Sequence, residues 1–331
     1  MRAKISLKTP NFIYGLRSWI PQFKYIFKGD RIFKALCVAV ASSVILILGL
    51  MVYELTLRSK LSIETFGLGF MVGTTWDPVK EVFGALPLIL GTLATSAIAL
   101  LIGLPISLGI ALAISEYMPK RLGKSFTFLV ELLAAVPSVV YGLWGMYVLI
   151  PFLRDNVYPF LQVALGFIPL FSGPIYGGGV LTGGIVLAIM IVPIISSVTR
   201  DLFSSVPQSM REAVLALGAT KWETAKTVMS YARSGILGAA LLGLGRAMGE
   251  AMAISMVIGN QFKLLPSSLF DAWYTMSAMI VNELLEAVHE LHVSALINVG
   301  LLLLVINLVV VILARLIVWR SLRMVKGVMR E

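Results

Sequence analysis

The feature that most constrains this chain is a set of apolar runs long enough to cross a lipid bilayer, at about 34–57, 86–114, 125–152, 179–199, 235–259 and 295–318. A helix rising about 1.5 Å per residue needs roughly 20 residues to cross a hydrocarbon core about 30 Å thick. Lipid offers no partner to an unpaired backbone group, so each run is expected as a helix, and the short alternating strands of a barrel do not fit. With 58% of its residues hydrophobic and 13% charged, the chain carries more apolar matter than one soluble core buries. The expected fold class is therefore an all-α, multi-pass membrane protein with six transmembrane helices.

A formal net charge of +10 would suit nucleic acid if it were gathered in one patch, but it alternates across the spans. On one side stand eight basic residues in the N-terminal segment up to Lys34, and three at Lys120, Arg121 and Lys124. Five more lie from Arg200 to Arg233 and five from Arg315 to Arg330. The other side holds only Arg58, Lys60, Lys80, Arg154 and Lys263. This asymmetry predicts cytoplasmic N- and C-termini. The first span is basic at its start and ends in "VYELTLRSK" with no small-x-small cleavage site, so it is expected as an uncleaved anchor.

The implied organisation is a basic and aromatic cytoplasmic segment (1–33), a first anchor helix (34–57), a body of five further spans (86–318) and a cytoplasmic tail (319–331). Residues 1–33 suit the headgroups of an anionic leaflet or a disordered tail. Asp77 and Pro78 predict a turn, followed by a short amphipathic stretch, on the outer surface. "GFIPLFSGPIYGGGVLTGG", too rich in Gly and Pro for a regular helix, is expected as a flexible connector. Cys37 allows no intrachain disulfide and reads as a small core hydrophobe. His289 and His292 are three apart but lack a third nearby ligand, so no metal is assigned. The triplet Gly123-Lys124-Ser125 has Met118 where a phosphate loop's first glycine would stand, so this chain carries no expected ATP site.

The largest interior connection, 204–232, reads as a short amphipathic helix, a turn at Gly218 and a second helix, a projection shaped to dock in a partner's groove. The fifth span carries Arg246 and Glu250. Arg246 lies about 11 residues, roughly 16 Å, from the expected span start near Gly235, close to the midplane. Each such charge costs about 2.5–3.5 kcal/mol on insertion scales. A self-neutralising helical pair is the bland reading, weakened because the arginine precedes the acid. The functional reading is a guanidinium facing a wet path, where its fork of donors suits a tetrahedral oxyanion and Glu250 orients it and moderates its field. Gly245 and Gly249 form a small-x-x-x-small pair for close helix packing, with a partner helix filling the gap. An ion-driven carrier would instead show an inverted repeat, and a membrane-embedded enzyme a catalytic cluster; neither is seen.

"EAVLALG" (212–218) resembles the Glu-Ala-Ala-x-x-x-Gly signature of permease subunits of ABC importers, in the expected loop before the penultimate span. "ELLAAVPSVVYGLWG", "VLAIMIVP", "REAVLALGATKWE" and "LGLGRAMGEAMAISMVIGN" are similar to PstC-type permeases of phosphate importers, from about residue 80 onward. The resemblance implies a type I ABC importer permease fold in the plasma membrane, with Glu212, Ala213 and Gly218 in a coupling helix and Arg246 and Glu250 on the translocation path. It also implies a sister permease (PstA-like), an ATPase dimer (PstB-like) holding ATP and magnesium, and an extracytoplasmic phosphate-binding protein (PstS-like). Sulfate and molybdate permeases share most of this architecture. Where importer permeases commonly carry a Leu-Pro pair, this chain has Met229 and Ser230.

Overall fold

The structure, a computed structural model, describes residues 20–328, with side chains described from 30 to 316. The start of the basic segment (1–19), the end of the tail (329–331) and the side chains from 317 onward lie outside the described residues. The chain divides into two units, residues 1–54 and 55–331. The first contributes most of α1 (Ile20–Arg58), whose stretch from Asp30 is long and apolar enough to span a membrane. Cys37, expected in a core, is an exposed free thiol on α1.

After the end of α1 the second unit continues with α2 (Lys60–Phe66) and α3 (Gly69–Val72). A hairpin follows, β1 (Trp76–Asp77) against β2 (Val82–Phe83), where a turn and an amphipathic stretch were expected. The turn forms because Asp77 Oδ1 accepts the Val79 and Lys80 N–H groups at 3.0 and 3.1 Å, an arrangement short acids favour. Backbone donation, that of Lys80 first, holds the Asp77 pKa below its ordinary value.

The spans are α4 (Leu86–Leu112, continued by a π turn to Tyr117), α9 (Val180–Ser204), α11 (Lys221–Gly249) and α14 (Glu290–Val328). Between α4 and α9 lie α5 (Lys120–Ala134), α6 (Ser138–Trp144), α7 (Ile150–Phe152) and α8 (Tyr158–Leu165). The expected single span 125–152 is therefore broken: its two arms, 120–134 and 138–165, meet at 88°. Pro137 explains the corner, since it offers no N–H and disfavours helical backbone at Val136. Tyr141 O–H donates to the Leu133 carbonyl across it at 2.8 Å.

The remaining helices are α10 (Gln208–Ala216), α12 (Met252–Val257) and α13 (Met276–Glu283). The most buried span is α9. Small residues set its approach to its neighbours. A methyl added at Gly103 of α4 would stand 3.0 Å from Ile191, and one at Gly243 of α11 would stand 2.5 Å from Ile195. The Gly- and Pro-rich stretch before α9 is pinned rather than free. Gly179, Val180 and Leu181 donate backbone hydrogen bonds to Val257, Asp271 and Leu269, and a side chain at Gly179 would meet the Phe270 carbonyl at 2.5 Å.

Candidate functional site: a helix break and a glycine turn

The expected fifth span, 235–259, differs from the observed helices at both ends. Its helix starts at Lys221, where Thr220 Oγ1 accepts the Glu223 N–H and Glu223 accepts the Thr220 N–H at 2.7 Å. With no proline at Met229–Ser230, the second helix of the 204–232 connection runs straight into the span. The helix then stops at Gly249 and restarts as α12.

Glu250 sits in the break with extended backbone (φ −71°, ψ 124°) and is 7% exposed. Its Oε1 accepts the Ala253 N–H at 3.3 Å, and its carbonyl accepts the Ser277 hydroxyl at 2.7 Å. Its Oε2 lies 3.6 Å from Arg246 Nη2. The reversed-order helical pair is thus not what forms, because Glu250 is outside the helix that carries Arg246. The cation stands in the last turn of α11 and the anion caps the first turn of α12, each at the helix end whose dipole favours it.

The Arg246 side chain is half exposed, at 50%. It belongs to an uncovered face of α11 that runs through Tyr231, Ser234, Gly238, Leu242, Arg246 and Gly249. A Cβ at Gly238 or Gly249 would meet nothing within 4 Å, whereas one at Gly245 would approach Asn307 Oδ1 of α14 at 3.9 Å. Within this chain Gly245 accordingly faces α14, while Gly249 adjoins the open face. The arrangement offers a forked cation, held on one side by a buried carboxylate, to whatever lies beside α11.

Glu212 and Ala213 are exposed on α10, and so is Leu217 beyond its end. Gly218 takes φ +83°, its N–H bonding to Leu215 and the Ala219 N–H to Val214, which closes the helix end. Its role in the fold is this left-handed turn. Arg211, one of the basic residues between Arg200 and Arg233, is drawn inward to Glu116, 95 residues away.

On the other side, the two histidines separate. His292 is buried, stacks on Phe83 at 5.2 Å and lies 3.1 Å from Glu283 Oε2, which also accepts the Trp76 indole N–H at 2.8 Å. His289 faces Glu81 at 3.7 Å. Among the described residues no group of three or more metal-ligating side chains converges.

Residues 103–322 match the family described as "Binding-protein-dependent transport system inner membrane component". The chain belongs to that family. Within it, the chain is 44% identical over 296 residues to the phosphate transport system permease protein PstC of Mesorhizobium japonicum, covering 88% of this chain and 90% of that protein. PstC of Haemophilus influenzae is 44% identical over 294 residues (87% and 93%), and PstC 1 of Mycobacterium tuberculosis 41% over 278 (77% and 82%). An inward-facing MetNI methionine ABC transporter structure superposes with a TM-score of 0.50 at 17% identity, over 76% of this chain and 99% of that one. That likeness is one of fold, the type I importer permease. As a family member the chain is a multi-pass inner-membrane component of an ABC importer.

Proposed function

We propose that the chain forms half of the path by which an ATP-driven importer carries inorganic phosphate across the plasma membrane. The observation that carries this reading is the uncovered Arg246 guanidinium, backed by Glu250, in a chain 44% identical to permeases named for phosphate transport. A guanidinium forks onto a phosphate with two parallel N–H···O bonds, and the neighbouring carboxylate keeps that grip weak enough for release.

The open face of α11 is where a sister permease, PstA-like, completes the path around Arg246. The α10 turn, with Glu212 and Ala213 outward, docks on a PstB-like ATPase dimer that binds the ATP and magnesium. Phosphate arrives from a PstS-like binding protein on the opposite side. This arrangement puts both termini in the cytoplasm, in keeping with the side on which the basic residues gather.

Uptake of labelled phosphate into cells lacking their own importer, supplied with this chain and its partner subunits, tests the reading. Uptake that unlabelled phosphate suppresses and sulfate or molybdate does not is the expected result. Stronger suppression by sulfate or molybdate than by unlabelled phosphate at equal concentration would assign the path to that oxyanion instead.

A further inference from the structure

Helix α10 is poorly anchored by apolar packing. It contains no buried residue, and Met210 is the only one of its residues packed against the neighbouring core of Leu112, Phe203, Val206 and Val228. A cleft of about 440 Å³, lined by Glu116, Ser204, Gln208, Arg211 and Lys221 among others, separates it from the end of α4. Arg211 reaches across that gap. Arg211 Nε donates to Glu116 Oε2 at 3.1 Å and Nη2 to Glu116 Oε1 at 2.8 Å, a two-pronged grip on the π turn that ends α4. Nη2 also donates to the Phe203 carbonyl at 2.7 Å, in the last turn of α9, and Nη1 to the Val206 carbonyl at 2.6 Å, just beyond that helix. Both partners are withdrawn from water, with side chains 14% and 9% exposed.

We infer that Arg211, with Glu116, is the rigid link by which displacement of α10 moves the α4–α9 pair. Bonds to charged groups in a water-poor site are short and directional, so a helix held by four of them cannot tilt without carrying their acceptors with it. The chain of contact continues inward from there. Gly103 seats α4 on Ile191 of α9, and Gly243 seats α11 on Ile195, three residues before Arg246. Arg211 is thus a positioning residue that touches neither nucleotide nor anion, and its role rests on the reading of α10 as the docking element.

The test compares phosphate uptake with ATP hydrolysis in the assembled importer, reconstituted in vesicles. Arg211→Met keeps the apolar stem and removes the fork. The expected result is an importer that hydrolyses ATP but whose uptake per ATP falls roughly tenfold, within the span of coupling between linked sites. Arg211→Lys keeps the charge without the fork and is expected to fall between. Loss of uptake and hydrolysis in equal proportion, with their ratio unchanged, would overturn the inference. If Arg211→Met does not assemble, Glu116→Gln decides by the same ratio, with a drop of about threefold expected from weakening the charged grip alone. Failure of the broader reading is distinguishable, because then the unsubstituted importer itself carries no phosphate.

Discussion

Arg246 and Glu250 are paired at 3.6 Å across the end of a helix, not along one. Since the carboxylate is buried and committed to the Ala253 N–H while the guanidinium is half exposed, the pair is asymmetric: one member is framework and the other faces outward. Arg246→Gln is therefore expected to leave the protein folded and to cut phosphate uptake at least about tenfold, the loss of one strong charge-assisted contact. Arg246→Lys restores the charge but not the fork and should recover only part. Uptake measured at matched membrane levels checks both, and undiminished transport by Arg246→Gln would remove the arginine from the path.

Glu250 should separate into two roles on substitution. Glu250→Ala takes away the acceptor that caps α12, a loss of about 1 kcal/mol, and is expected to lower the thermal midpoint of the purified complex. Glu250→Gln keeps an acceptor for Ala253 and should keep that midpoint, yet it leaves Arg246 without a counter-charge. Phosphate is then held more tightly and released more slowly, so half-saturation and maximal uptake rate should both fall. A rise in half-saturation with an unchanged maximal rate would contradict this role.

The spans were legible because hydropathy over 20 residues is a local property. The two breaks were not read. At Val136–Pro137 the signal was present in the proline, but the apolar run on both sides concealed it. At Glu250 no proline marks the break; the carbonyl freed there is satisfied by Ser277, 27 residues on, which no local pattern announces. The grip of Arg211 on Glu116 is hidden for the same reason. The spacing of His289 and His292 gave no reason to tell them apart, yet packing against Phe83 draws His292 inward.

Gly218 has open space around its missing side chain but a backbone at φ +83°. Gly218→Ala therefore meets no clash and carries only the cost of left-handed backbone, about 1–2 kcal/mol. Because that cost falls on the turn joining α10 to α11, it should show as reduced co-purification of the ATPase with the permease more than as a lower melting point. Gly218→Asn, which tolerates this conformation better, should retain most of the binding. Equal ATPase recovery with Gly and Ala would show that the turn does not need its left-handed residue.

The loop that follows α12 carries a pH-sensitive tie at Asp271. Burial opposes its ionisation, but donation from Ser267, whose N–H lies 2.7 Å from Oδ2, together with the Lys263 ammonium at 3.7 Å, outweighs burial and holds the pKa below its ordinary 3.8. A carboxyl whose folded pKa is depressed stabilises fully above the unfolded value, and that contribution is lost as pH falls through the folded one. The loop around Ser267 and Lys263 should thus stay protected at neutral pH and loosen only below about 3.8, where Asp271 takes up its proton. Asp271→Asn is expected to exchange faster at neutral pH and to lose this acid-dependent step. Amide hydrogen exchange of residues 261–273 across pH 3 to 7, corrected for intrinsic rates, measures it, and identical profiles in the two proteins would show that Asp271 does not tie the loop.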